Sequence, residues 1–191
     1  MKLYIKSAYV QQKPGMMVCD DFGEKKYSAS IEHSVLGLNM DLHSADGKRI
    51  AKIRQRGFSF NKTYNITAGK KTLKLILKVE ENNITAFIKG CAIVFVGDVL
   101  KKDFSLLSEN KSVIMLHRYN LKNYYELDIL QKDFELLSIC VSLCIETLLF
   151  FDERKSQKDK ISFTSYILNN KKMLGSLQET FSVNVNKFDK K

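Results

Sequence analysis

Eighteen residues from Phe134 to Phe151, FELLSICVSLCIETLLFF, are apolar except at Glu135, Ser138, Ser142, Glu146 and Thr147. The run length and the leucines favour a helix, with Asp133 placed to act as its N-cap. Apolar residues cover most of the circumference, so this is no surface helix with a single buried stripe. At about 1.5 Å per residue it would be roughly 27 Å long. Only two environments suit such a helix. A bilayer accepts about 17–25 apolar residues, but Glu146 would then lie in hydrocarbon, where a carboxyl is costly. The other environment is protein: a helix is about 10–12 Å across, and barrels of about eleven strands, unlike eight-stranded ones, can hold it. The rest of the chain therefore decides the fold.

Residues 1–130 read as short strands separated by turns. In NMDLHSADGKRIAKIR (Asn39 to Arg54), a two-residue loop at Asp46-Gly47 sets Leu42 opposite Ala51 and Met40 opposite Ile53. Asp41 then meets Lys52, and Asn39 meets Arg54, on the other face. One register yields an apolar inner face and a polar, charge-paired outer face. His43 opposite Ile50 is the misfit. The unit recurs around Gly23, around Gly69 and around Glu109-Asn110, where Asn can adopt the left-handed conformation. The pattern predicts twelve strands, near 2–6, 15–20, 25–31, 38–43, 48–54, 62–68, 72–80, 84–88, 91–96, 103–107, 112–118 and 123–130. Twelve strands followed by an all-round apolar helix favour the protein environment. The fold class expected is mainly β, a closed antiparallel barrel of about twelve strands around a central hydrophobic helix.

Hairpin repeats with a turn glycine, the step from Val94 through Val96 into Gly97-Asp98, the Tyr125–Ile129 strand and the apolar helix together resemble the LURP-one-related proteins. The resemblance covers residues 1–151 and implies the tubby C-terminal-like fold, shared with tubby proteins and phospholipid scramblases. It implies one barrel domain over 1–151 with its helix at 132–151. Residues 152–191 have no counterpart in that pattern. They read as a charged linker, Asp152 to Lys160, and an extension with a strand near Ile161–Ile167 and a short helix near Met173–Phe181.

Charge and cysteines bound the function. Lys and Arg number 31 against 21 Asp and Glu, a net charge of +10. Residues 152–191 carry +4 of it, and no run of five cations occurs. A lysine-rich solvated exterior and a specific polyanion site both fit this balance. The N-terminal MKLYIKSAYVQQK lacks the apolar core of a signal peptide; four cysteines are too few for a disulfide scaffold and, without a C-x-x-C pair, make no structural zinc site. A reducing, cytoplasmic compartment is expected, with peripheral attachment to a membrane. The Asn-x-Ser/Thr triplets at Asn61, Asn65, Asn83 and Asn110 then carry no glycan.

No catalytic constellation stands out. His33, His43 and His117 are far apart and lack metal-ligand spacing, so they read as surface or strand residues. Cys140 and Cys144, one helical turn apart, read as small core residues. Glu135 and Glu146 are separated by about 16 Å of helix rise, too far to share a proton. No phosphate loop, dinucleotide fingerprint or nucleophile elbow occurs, and no cofactor is expected.

The best local signal is basic. Lys52, Arg54 and Arg56 alternate along one strand and project from one face. Lys48 and Arg49 precede them, and Lys70 and Lys71 occupy the equivalent turn of the next hairpin. Such a face can hold phosphate groups, with arginine offering forked donors. It also reads as a plain solvated face, partly neutralised by Asp41. The resemblance implies a non-enzymatic module that binds anionic phospholipid head groups or another phosphorylated ligand. The alternative is a protein-interaction or scaffold module. Nucleic acid is not an expected partner, because aromatic residues are not interleaved with the cations.

Overall fold

The computed structural model describes residues 1–34, 37–56, 62–80, 83–90, 93–98, 101–120 and 124–159. Twelve strands run in chain order: β1 (Lys2–Val10), β2 (Lys13–Cys19), β3 (Lys25–Ser34), β4 (Gly37–Ser44), β5 (Arg49–Arg56), β6 (Lys62–Ala68), β7 (Lys71–Glu80), β8 (Asn83–Lys89), β9 (Val94–Asp98), β10 (Asp103–Leu107), β11 (Val113–Asn120) and β12 (Tyr124–Ile129). A 3-10 turn at Lys132–Phe134 leads into the helix α1 (Glu135–Asp159). Each strand pairs antiparallel with its sequence neighbours, and β1 pairs with β12 to close the barrel. Closure leaves no sheet edge for another chain to pair with.

The barrel forms because apolar and polar residues alternate along almost every strand. In β8 and β12 the buried positions are every second residue, Ile84, Ala86 and Ile88, then Tyr125, Leu127 and Ile129. Period-two patterning of this kind gives a sheet one apolar face, and only a further apolar element can cover it. That element is the first part of α1. All nine positions from Ser138 to Glu146 have no exposed surface, more than two full turns and hence the whole circumference. Small residues at Ala29, Ala51 and Ala86 on the inner wall keep room for it.

Two compact units divide the chain, Met1–Glu146 and Thr147–Lys191. The first holds the barrel and the enclosed helical turns. The second is described only from Thr147 to Asp159, which is helical, so the helix continues past the expected end at residue 151. The expected strand near Ile161–Ile167, the helix near Met173–Phe181 and the site of Cys91 lie outside the described residues. The helix also starts differently from expectation. Asp133 falls within the 3-10 turn and does not cap α1. Tyr27 on β3 instead donates a hydrogen bond to the Glu135 carboxylate at 2.6 Å, fixing the first residue of α1 to the wall.

The hairpin register is as expected: Leu42 faces Ala51, Met40 faces Ile53, Asp41 faces Lys52 and Asn39 faces Arg54. The loop is not. A bulge after Leu42 pairs His43 with Arg49, and the Ser44 N–H donates to the Lys48 carbonyl at 2.9 Å. The loop is thus Ala45-Asp46-Gly47, a three-residue turn with its bulge at glycine. The bulge removes the mismatch of His43 with Ile50. The same construction recurs at Asp21-Phe22-Gly23 and at Glu109-Asn110-Lys111. In the last of these the left-handed residue is Lys111, with φ of 60°, and not Asn110. The asparagine serves differently: its Oδ1 accepts the Ser112 N–H at 3.2 Å.

Gly23 and Gly47 have φ of 80° and 85°, and a Cβ at either would meet nothing within 4 Å. Strain alone therefore sets the effect of substitution there. Gly47→Val is expected to cost about 1–3 kcal/mol, read as a lower midpoint in chemical denaturation. An unchanged midpoint would remove the left-handed turn from consideration. At Gly97 the constraint is space: a Cβ would lie 2.0 Å from Cδ1 of Phe104 and 2.5 Å from the Asp103 carbonyl. Glycine there lets β9 and β10 close over the stacked Phe95 and Phe104 rings, 5.3 Å apart.

Candidate functional site

The cations singled out from the sequence gather along β5 and the neighbouring turns. Lys52, Arg54 and Arg56 alternate with buried Ala51 and Ile53, so they lie on the outer wall. Lys48 closes the β4–β5 turn, Arg49 begins β5, and Lys70 and Lys71 sit at the β6–β7 turn on the same rim of the barrel. Pairing of Lys52 with Thr67, and of Ala68 with Lys71, ties the two hairpins side by side.

Asp41 neutralises less of this face than the sequence implies. It stands opposite Lys52 in the ladder, yet its carboxylate lies 3.8 Å from Arg49 instead. Arg49 is well exposed and the separation is near the limit of an ion pair, so the contact is worth little. Arg54 donates to Oδ1 of Asn39 at 3.1 Å, a neutral partner that orients the guanidinium and leaves its charge uncompensated.

Sequence reading missed two further cations. Asn65 pairs with Arg54 on one side and Lys74 on the other, and Lys74 pairs directly with Lys89. Arg54, Asn65, Lys74 and Lys89 therefore form one transverse row across β5 to β8. Directly opposed like charges destabilise a sheet, and neither lysine forms an ion pair among the described residues. The lysines were visible in LKLILK and IKG. Only the ladder register makes them neighbours.

The interior holds a second polar feature. His117 projects inward from β11, with Nε2 2.9 Å from Oε1 of Glu146 on α1, and neither residue has exposed surface. The approach lacks the alignment of a full hydrogen bond. The rings of Phe104 and Tyr125 flank the imidazole at 5.4 and 5.0 Å. Burial pushes the His117 pKa down to about 3, so the imidazole is neutral at neutral pH. His117 is thus a strand residue, as expected, but one that faces the core and not the surface.

Two thiols and one phenol near the helix are held in their neutral forms. Burial raises Cys140 to about 12 and Cys144 well above its ordinary value, which keeps both as unreactive thiols. Burial, then the hydrogen bond to Glu135, raises Tyr27 to about 12. Among the described residues no three His, Cys, Asp or Glu side chains converge as a metal site. Nor, among them, is any helix long and apolar enough to cross a membrane.

Fold and surface together define a closed β-barrel threaded by its own helix, with a cationic outer sector. Comparison with models of known families and with curated proteins finds no match. Among solved structures, the chain is similar to the X-ray structure of a protein from Arabidopsis thaliana, with 11% identity and a TM-score of 0.49. That similarity covers 74% of this chain and 90% of the other.

Proposed function

We propose that this protein is a non-enzymatic binding module of the LURP-one-related, tubby-like class, whose cationic sector contacts anionic phospholipid head groups. The observation that carries this reading is the row Arg54–Asn65–Lys74–Lys89, where two lysines oppose each other and neither forms an ion pair among the described residues. A phosphate group over that row would relieve the repulsion and accept from the arginine and lysine donors. A cytoplasmic location with peripheral attachment belongs to the same reading.

Each cation near an anionic bilayer contributes roughly 1 kcal/mol. Three or four acting together give weak, salt-sensitive attachment, because the Debye length is only about 8 Å at physiological ionic strength. The test is co-sedimentation with phosphatidylserine-containing and purely zwitterionic vesicles, with and without added salt. Binding is expected on the acidic vesicles alone, weakening as salt rises. Reversing Arg54, Lys74 and Lys89 to glutamate should lower it by at least about tenfold. Equal binding to both vesicle types, or none to either, overturns the lipid reading and leaves the protein-interaction module.

A further inference from the structure

We propose that the barrel docks on the bilayer end-on, through the rim where α1 enters, with Phe22 seated at the level of the head groups. The proposal rests on the lipid reading above and adds the contact surface and its apolar anchor.

Three turns of one design stand on this rim, at Asp21-Phe22-Gly23, Ala45-Asp46-Gly47 and Glu109-Asn110-Lys111. Their middle residues differ in chemistry. Asp46 and Asn110 each turn a side-chain oxygen back onto the turn, accepting the N–H of Lys48 and of Ser112, both at 3.2 Å. In the first turn Asp20 takes over that duty, accepting the N–H of Phe22 at 3.0 Å and of Glu24 at 2.9 Å. The tip is thereby released from holding the turn, and it carries a phenylalanine that is 90% exposed. A folded chain gains nothing in water from a phenyl ring held there by a rigid, well-bonded turn.

Phe22 also has company. Leu130, 55% exposed, follows β12, and Met1, 48% exposed, precedes β1. The Met1 amino group donates to the Ile129 carbonyl at 2.8 Å, which places Met1 beside the end of β12. β12, β1 and β2 are consecutive around the barrel, so the three apolar side chains occupy one arc of one rim. Continuing round the same rim come Lys25, then Lys48 and Arg49, then Lys70 and Lys71. The Phe22 turn also carries Asp20, Asp21 and Glu24, with Lys26 3.0 Å from Asp20 and 3.5 Å from Glu24. The anionic head groups are therefore met by the arc from Lys48 to Lys71, while the ring of Phe22 sits at head-group depth beside it. Of the row Arg54–Asn65–Lys74–Lys89, Lys89 ends β8 at this same rim. Arg54 and Arg56 lie six and eight residues beyond Lys48, about 20 and 26 Å along the wall at about 3.3 Å per residue. End-on docking thus engages the row at its Lys89 end and leaves both arginines more than a Debye length away.

The chain contains no Trp, so Phe22→Trp supplies a single fluorophore at the proposed contact. On phosphatidylserine vesicles its emission should shift to the blue and be quenched by brominated acyl chains. Phe22→Ser should lower vesicle partition about tenfold, the effect of losing one half-buried ring. Both variants should keep the parent's thermal midpoint, since the side chain is exposed. Acidic-vesicle binding that Phe22→Ser leaves unchanged, with no spectral shift in Phe22→Trp, overturns end-on docking while the lipid reading stands. A parent protein that binds no acidic vesicle overturns both. A blue shift that tracks protein concentration without vesicles assigns the rim to a second copy of the chain, and also overturns the proposal.

Discussion

Leu143→Asp should leave the chain unable to fold. Leu143 has no exposed surface, and neither has any other residue from Ser138 to Glu146. An aspartate there meets only buried neighbours on α1, and among the described residues no lysine or arginine is buried in the wall. An unpaired carboxylate in such a core exceeds the usual cost of a point mutation, about 4–5 kcal/mol or more. Total stability of a single domain is about 5–15 kcal/mol, so little or no folded protein is expected at 37 °C. The readouts are loss of the cooperative thermal transition and loss of soluble yield. Leu143→Met, which keeps volume and polarity, should cost less than about 1.5 kcal/mol and shows that the position tolerates change. A soluble aspartate variant with the parent's midpoint would mean that the barrel does not enclose this helix.

The second large effect concerns His117. Burial holds its folded pKa near 3, against an ordinary value of 6.5. Below pH 6.5 the unfolded chain therefore takes up a proton that the native state refuses. Stability contributed by the neutral, buried imidazole is complete above pH 6.5 and declines as pH falls towards 3. The slope for one such proton is about 1.4 kcal/mol per pH unit, or about 2 kcal/mol at pH 5. Replacing His117 by Gln keeps a polar group facing Glu146 but removes the titration. That variant should lose about 1–3 kcal/mol at pH 7, and should lose less further stability than the parent between pH 7 and pH 5. Denaturant midpoints at the two pH values decide the matter. Parallel losses in both proteins would show that His117 is not the group that titrates.

The same residue shows where sequence reasoning stops. Glu146 is conspicuous as the one acid deep in an apolar run, and it argues against a bilayer. Its partner is not conspicuous. His117 stands in IMLHRYN as an ordinary strand residue, and which face it takes depends on the pleat of β11. The bulge that pairs Leu107 with Val113 and Leu106 with Met115 sets that pleat by inserting one residue next to the turn. A bulge reverses the inside and outside assignment of every residue after it. Counting along the strand from the turn therefore misplaces the histidine.

The cationic sector divides in the same way. Lys52, Arg54 and Arg56 are legible as one face because they share a strand, and a strand's period is local. Lys74 and Lys89 join them only through ladder pairing, which no single-strand pattern records. Exposure of Phe22 is likewise a matter of hydrogen bonds: the turn glycine could be read from the chain, but not which side chain closes the turn.

Local rules were enough for the number of strands, the hairpin register at Asn39–Arg54, the positive φ of Gly23 and Gly47, and the need for a wall around the apolar run 134–151. All of these follow from hydrophobic period, turn chemistry and the cost of burying polar groups, which act over a few residues. Closure of β1 onto β12, the meeting of His117 with Glu146, the Arg54–Lys89 row and the gathering of Met1, Phe22 and Leu130 on one rim depend on packing in three dimensions. Their residues are separated by tens of positions along the chain, and their proximity is set by the summed twist and stagger of twelve strands around a helix.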